Sequence, residues 1–175
     1  MSEESCILQY EYRKQTPTAW NQDMNQVVPN RKEHDPRMHS AEHILNQTMV
    51  RMFHCGRAFS AHIEKKKSKC DYHFERNLTP EEILQIEMKV NEIIQSDLPI
   101  REQILSREEA GKVVSLSKLP QDAGDKVRII FIGEYDACPC SGVHASSTRE
   151  IGEFRIISSD CANGVLRIRF KIQQL

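Results

Sequence analysis

Hydrophobic positions along the chain change period several times. Near the start, Cys6, Leu8, Tyr10 and Tyr12 alternate with other residues and predict a strand. Residues 13 to 37 are polar and carry Pro17, Pro29 and Pro36, which reads as an irregular arm. From Met38 the period becomes helical: Ala41, Ile44, Leu45, Thr48, Met49 and Met52 recur at spacings of three and four. Asp35-Pro36 suits the start of that helix, since Asp can cap it and Pro fits its first turn. Alternation around Cys70–Glu75 predicts a strand. Thr79-Pro80-Glu81-Glu82 then reads as a capping box, followed by the stripe Ile83, Ile86, Val90, Ile93 and Ile94, a helix ending before Pro99. Ser106-Arg107-Glu108-Glu109 repeats the box and starts a short helix to Gly111. Strands follow at Val127–Ile132 and Phe154–Ile157. From Val165 to Ile172 the side chains Leu166, Ile168, Phe170 and Ile172 face one way, and Arg167, Arg169 and Lys171 the other.

Helices early and strands late, without βαβ alternation, predict an α+β fold: helices packed on a mainly antiparallel sheet. At 175 residues the expected organisation is a single domain, residues 38–175, behind an extension at 1–37. A chain of this size buries roughly 70% of its unfolded surface, so its core needs no disulfide staples. Charge nearly cancels, with 24 Lys+Arg against 25 Asp+Glu, so a nucleic-acid partner would have to meet a local basic patch. No apolar run approaches the roughly 20 residues of a membrane span, so no membrane partner is expected. The opening Met1-Ser2-Glu3-Glu4-Ser5 is acidic where a secretory signal is basic. The expectation is a cytoplasmic, reducing environment in which Cys6, Cys55, Cys70, Cys138, Cys140 and Cys161 stay unbridged.

The chemistry concentrates in two places. His39-Ser40-Ala41-Glu42-His43 puts two imidazoles one turn apart on one helix face. Cys138-Pro139-Cys140-Ser141-Gly142-Val143-His144 offers a thiolate and a third imidazole across a short loop. Three histidine nitrogens and one cysteine sulfur suit tetrahedral Zn²⁺, with Cys138 competing for the sulfur position. His34, His54, His62 and His73 read as surface or packing residues. Two other zinc patterns fit the sequence less well. HxxEH alone would make Glu42 a protease base, with a third ligand from Glu81, Glu82 or Glu87, but leaves Cys140 and His144 unexplained. A zinc deaminase needs PCxxC, and the second Cys is missing after Pro139-Cys140.

His39-Ser40-Ala41-Glu42-His43-Ile44-Leu45, Cys70-Asp71-Tyr72-His73-Phe74 with Leu78-Thr79-Pro80-Glu81-Glu82, Cys140-Ser141-Gly142-Val143-His144 and Ser147–Ile156 follow one another in a familiar order. Over residues 38–175 the chain resembles the editing (second additional) domain shared by alanyl- and threonyl-tRNA synthetases and free-standing alanyl-tRNA editing proteins.

The resemblance implies zinc held by His39, His43, Cys140 and His144, Cys140 being preferred over Cys138. It implies hydrolysis of the ester joining a wrong amino acid to the 3′ end of tRNA. Without an aminoacylation domain, that would be trans-editing of released tRNA, with Ser-tRNA(Ala) the first candidate. Ser141 and Val143 stand where the family often has Gly and Thr, and Cys138 where it often has an acid. These positions lie where the aminoacyl group should bind, so Ser141, Gly142 and Val143 are the substrate-binding candidates. A catalytic side chain is not identified; Glu42 is a candidate base, though its place beside His43 on the helix turns it away. Lys65, Lys66 and Lys67 with Lys69, and the Arg167, Arg169 and Lys171 face, are the candidates for tRNA phosphates. The alternative is a non-catalytic zinc-containing module that binds tRNA or a synthetase, for which the substitutions around Cys140 speak.

Overall fold

The computed structural model describes residues 35–117, 119 and 124–173. The strand expected at Cys6–Tyr12 and most of the arm expected at 13–37 lie outside them; the arm's last residues, Asp35, Pro36 and Arg37, instead cap and open the first helix. Helix α1 (Pro36–Phe53) starts as expected, with the Asp35 carboxylate accepting from Arg37 N and Met38 N and Pro36 in the first turn. It ends at His54 in the left-handed region. Strands β1 (Ser60–His62) and β2 (Ser68–His73) follow. Helix α2 (Pro80–Gln95) carries the full capping box between Thr79 and Glu82. Arg76 clamps the Glu82 carboxylate, which with the Thr79 amide holds it down to about 2. Strand β3 (Ile100–Ser106) leads into the short helix α3 (Arg107–Val113), capped by Ser106. Strands β4 (Lys126–Ile132), β5 (Asp136–Pro139), β6 (Glu153–Ala162) and β7 (Val165–Gln173) complete the elements, with a 3₁₀ turn at Thr148–Ile151.

The α+β class is as expected, with one difference: the strands form two antiparallel sheets. One has the order β1-β2-β7-β6, the other β3-β4-β5. Alternation within a strand says which face is apolar but not which strand it pairs with. Strand β3 also has no sequence signal, because its residues are mostly half-buried and it pairs with β4 alone.

The main core packs α1 and α2 on the four-stranded sheet. Met38, Ala41, Ile44, Leu45 and Met49 from α1 meet Ile86, Val90, Ile93 and Ile94 from α2, and Cys70, Tyr72, Phe154, Leu166, Ile168 and Phe170 from the strands. Edge strand β6 does not end in unpaired backbone where α2 meets it. Asn91 accepts from Phe154 N and donates to Phe154 O, and Glu87 accepts from Ile156 N. A smaller cluster, Ala110, Val127 and Ile129, seats α3 on the second sheet.

Helix α1 departs from an ordinary amphipathic helix. Every residue from Met38 to Asn46 is buried, including His39, Ser40, Glu42, His43 and Asn46. Polar groups inside need partners, and those partners define the site.

Candidate metal centre

The first two turns of α1 face the end of β5 and the loop after it. There the ligand atoms of His39, His43, Cys140 and His144 lie within 4.8 Å of one another, the one such group among the described residues. The rings of His39 and His144 stack at 4.2 Å, and that of His43 meets His144 edge-on at 4.5 Å.

The surroundings select the tautomer of His39 and His144. Nδ1 of His39 lies 3.1 Å from the Val143 carbonyl, which can only accept, so Nδ1 carries the hydrogen. Ser40 Oγ donates to Pro36 O at 2.8 Å. Its lone pairs then take the Ala145 N–H and His144 Nδ1–H, both at 3.1 Å. Nδ1 of His43 faces the Asp136 carboxylate at 3.4 Å. That is an ion-pair distance without hydrogen-bond alignment, since Nδ1 has no aligned partner. In His39 and His144 this leaves the Nε2 lone pair for the cluster. Nε2 of His144 is buried with no hydrogen bond, and His39 Nε2 is 3.5 Å from Cys140 Sγ.

The sulfur is prepared as well. Gly142 N–H donates to Cys140 Sγ at 3.4 Å. Burial would raise the Cys140 thiol, but contacts from His144, His39 and His43 outweigh it and bring it down to about 3. Burial, with the charges of His43 and His39, takes His144 down to about 4. Burial opposes a charge on His43 too, yet Asp136 and then Cys140 raise it to about 9 in the metal-free chain. Cys138, the competitor, is outside the group; burial pushes its thiol up to about 11. The described cysteines, Cys55, Cys70, Cys138, Cys140 and Cys161, are all free thiols.

Several supports carried no motif. Arg128 of β4 donates to Cys140 O at 2.7 Å and Gly142 O at 2.8 Å, and its Nε to Glu102 of β3 at 2.8 Å. Arg57 binds both oxygens of Asp136, at 2.6 and 3.2 Å. Ser40 had the faint signal of lying between the two histidines. Arg57 and Arg128 had none, because their partners are distant in sequence.

The other expected residues divide. Glu42 does not turn away: Asn46 Nδ2 bonds one oxygen, and the other lies 3.9 Å from His43 Nε2. Glu82 caps α2 and Glu87 holds β6, so neither serves as a protease-type third ligand. Gly142 is buried against His39, Val143 serves through its carbonyl, and Ser141 is exposed. Lys65, Lys66 and Lys67 are exposed between β1 and β2. Arg167 is clamped by Asp71 at 2.7 and 2.8 Å, and Arg169 by Asp160, so these two arginines of the β7 face are neutralised within the sheet. His54, His62 and His73 are exposed; His34 lies outside the described residues.

Residues 127–169, which contain most of β4, the Cys140–His144 loop and most of the β6–β7 hairpin, match the family model "Threonyl and Alanyl tRNA synthetase second additional domain". The chain is 35% identical over 136 residues to an alanine–tRNA ligase of Coxiella burnetii. It is 32% identical over 147 residues to one of Fervidobacterium nodosum. This is an editing-domain-like protein. The alignments cover 75% and 82% of the chain but only 16% and 17% of the ligases. Two residues of the editing-domain-like chain's cluster, Cys140 and His144, lie within the stretch the family model matches. None of its described helices is long and apolar enough to cross a membrane.

Proposed function

We propose that this protein is a zinc-dependent aminoacyl-tRNA deacylase that edits in trans, with Ser-tRNA(Ala) its first substrate. One observation supports the reading: the ligand atoms of three histidines and Cys140 lie within 4.8 Å of one another, with His39 and His144 held through Nδ1 and His43 facing the Asp136 carboxylate. Three imidazoles and a thiolate form a donor set that suits zinc better than the oxygen-seeking metals. His39, His43, Cys140 and His144 would hold the ion, which would supply Lewis acidity toward the ester carbonyl or the attacking water. Residues 38–175 would form the editing domain and 1–37 an extension, acting in the cytoplasm beside translation.

The chain's own residues have separable tasks. Glu42 keeps one oxygen on Asn46 and the other near the cluster, which fits a base taking the proton from water. Ser141, exposed beside Cys140, can meet the aminoacyl group. Lys65, Lys66 and Lys67, exposed between β1 and β2, suit acceptor-end phosphates better than the neutralised Arg167 and Arg169.

Purified protein incubated with Ser-, Gly- and Ala-charged tRNA(Ala) and with Ser-tRNA(Thr) is expected to release serine from tRNA(Ala) fastest, and to stop when zinc is chelated. Esters left intact while tRNA is still bound would replace this reading with the non-catalytic binding module. Glu42→Gln is expected to slow deacylation about 100-fold with zinc content unchanged. Wild-type rates in that variant would remove Glu42 from the chemistry.

A further inference from the structure

The geometry points to Arg57 and Asp136 as positioning residues for the metal: Asp136 orients His43, and Arg57 orients Asp136. The inference rests on the zinc reading above and extends it beyond the four ligands.

The three histidines are steadied differently. His39 uses a main-chain carbonyl and His144 a hydroxyl, both neutral. His43 faces a carboxylate, which lies 3.4 Å from its Nδ1. A neutral acceptor is enough to select a tautomer. A carboxylate also increases the electron density that the opposite nitrogen offers a metal.

Such a carboxylate is costly to place here. The Asp136 side chain is 1% exposed, and an unpaired buried charge costs several kcal/mol. Arg57 meets that cost with a two-pronged contact that fills both carboxylate oxygens and fixes their plane. Arg57 comes from the loop after α1 and Asp136 from the first residue of β5, so the pair ties together the two parts of the chain that supply ligands.

The charges also balance. Counted formally, the Cys140 thiolate and the Asp136 and Glu42 carboxylates, less the Arg57 guanidinium, leave two negative charges in the interior. A dication matches them. This explains why a guanidinium can sit so near a cation site: its charge is already spent on Asp136.

The test compares the full-length wild-type chain with Arg57→Met/Asp136→Leu and Arg57→Met/Asp136→Asn. Removing both charges together avoids stranding either one. Zinc affinity is measured against a chromogenic chelator, the absorption bands of the cobalt-substituted forms are recorded, and the metal-free forms are melted. The Leu variant is expected to bind zinc about 10- to 100-fold more weakly, with shifted cobalt bands and metal-free melting close to wild type. The Asn variant, nearly isosteric and with an amide oxygen that still accepts from Nδ1–H, is expected to recover part of the affinity. It also keeps the test open if the Leu variant does not fold. Wild-type affinity and an unchanged cobalt spectrum in both variants would overturn the proposal. So would a loss of affinity no larger than the loss of metal-free stability. A wild-type chain that takes up neither ion would overturn the zinc reading itself, and this proposal with it.

Discussion

Gly142→Ala is expected to weaken zinc binding at least about 100-fold, a loss of roughly 2.7 kcal/mol, while leaving the fold intact. The cause is space. Gly142 is not among the glycines with positive φ, so an Ala backbone would be unstrained there. But a Cβ would overlap His39 Cε1 and reach 2.5 Å from its Nδ1. His39 could turn aside, giving up the Val143 carbonyl and its aim at the cluster. The loop could retreat instead, taking with it the amide that donates to Cys140 Sγ. Either movement removes a ligand. Gly111→Ala is the control, because its Cβ would meet only Leu116 Cδ1, at 3.7 Å. Chelator competition and circular dichroism on both variants decide the matter. Wild-type zinc affinity in Gly142→Ala would show that the loop yields without cost.

Arg128→Met is expected to destabilise the metal-free protein by about 3 kcal/mol, near the lower end of what removing one partner of a buried ion pair costs. The Arg128 side chain is 9% exposed, and Glu102, at 27%, can recover some hydration once its partner is gone. The carbonyls of Cys140 and Gly142 would each lose a charged donor. Orphaned buried acceptors cost about 1–3 kcal/mol each, so water must reach at least one of them to keep the total near 3. Urea denaturation with and without zinc measures the effect. A larger loss in the zinc-loaded form would show that Arg128 holds the loop in its ligating shape. A change below about 1 kcal/mol would show that the β4–β5 ladder, which continues through Cys140 N to Arg128 O at 3.2 Å, is sufficient alone.

These expectations concern residues that differ in how visible they were in the sequence. Both main helices were legible because their signals are local. Asp35-Pro36 and the Thr79–Glu82 box lie beside the apolar stripes they introduce, and the structure starts α1 and α2 there. Strand β7 was legible for the same reason, since alternation is a property of the strand itself. The division into two sheets was not, and β3 was missed outright, because pairing depends on strands far away. Glu42 differs from its expected orientation. Helical spacing turns its Cβ away from His43, but a flexible side chain held by Asn46 brings the carboxylate back.

The sequence by itself determined the α+β class, the starts of the main helices and the residue types that meet in the cluster. HxxxH on a helix and CxxxH on a loop are short-range patterns, and each fixes its own pair. Only the tertiary structure decided how the pairs face each other and what stands behind them. It put Cys140 rather than Cys138 beside the three rings, neutralised Arg167 and Arg169 against acids from neighbouring strands, and drew Ser40, Arg57, Arg128 and Asp136 around the ligands. A local pattern follows from the repeat of a helix or strand, whereas a buried charge requires an opposite charge close in space, wherever in the chain it comes from.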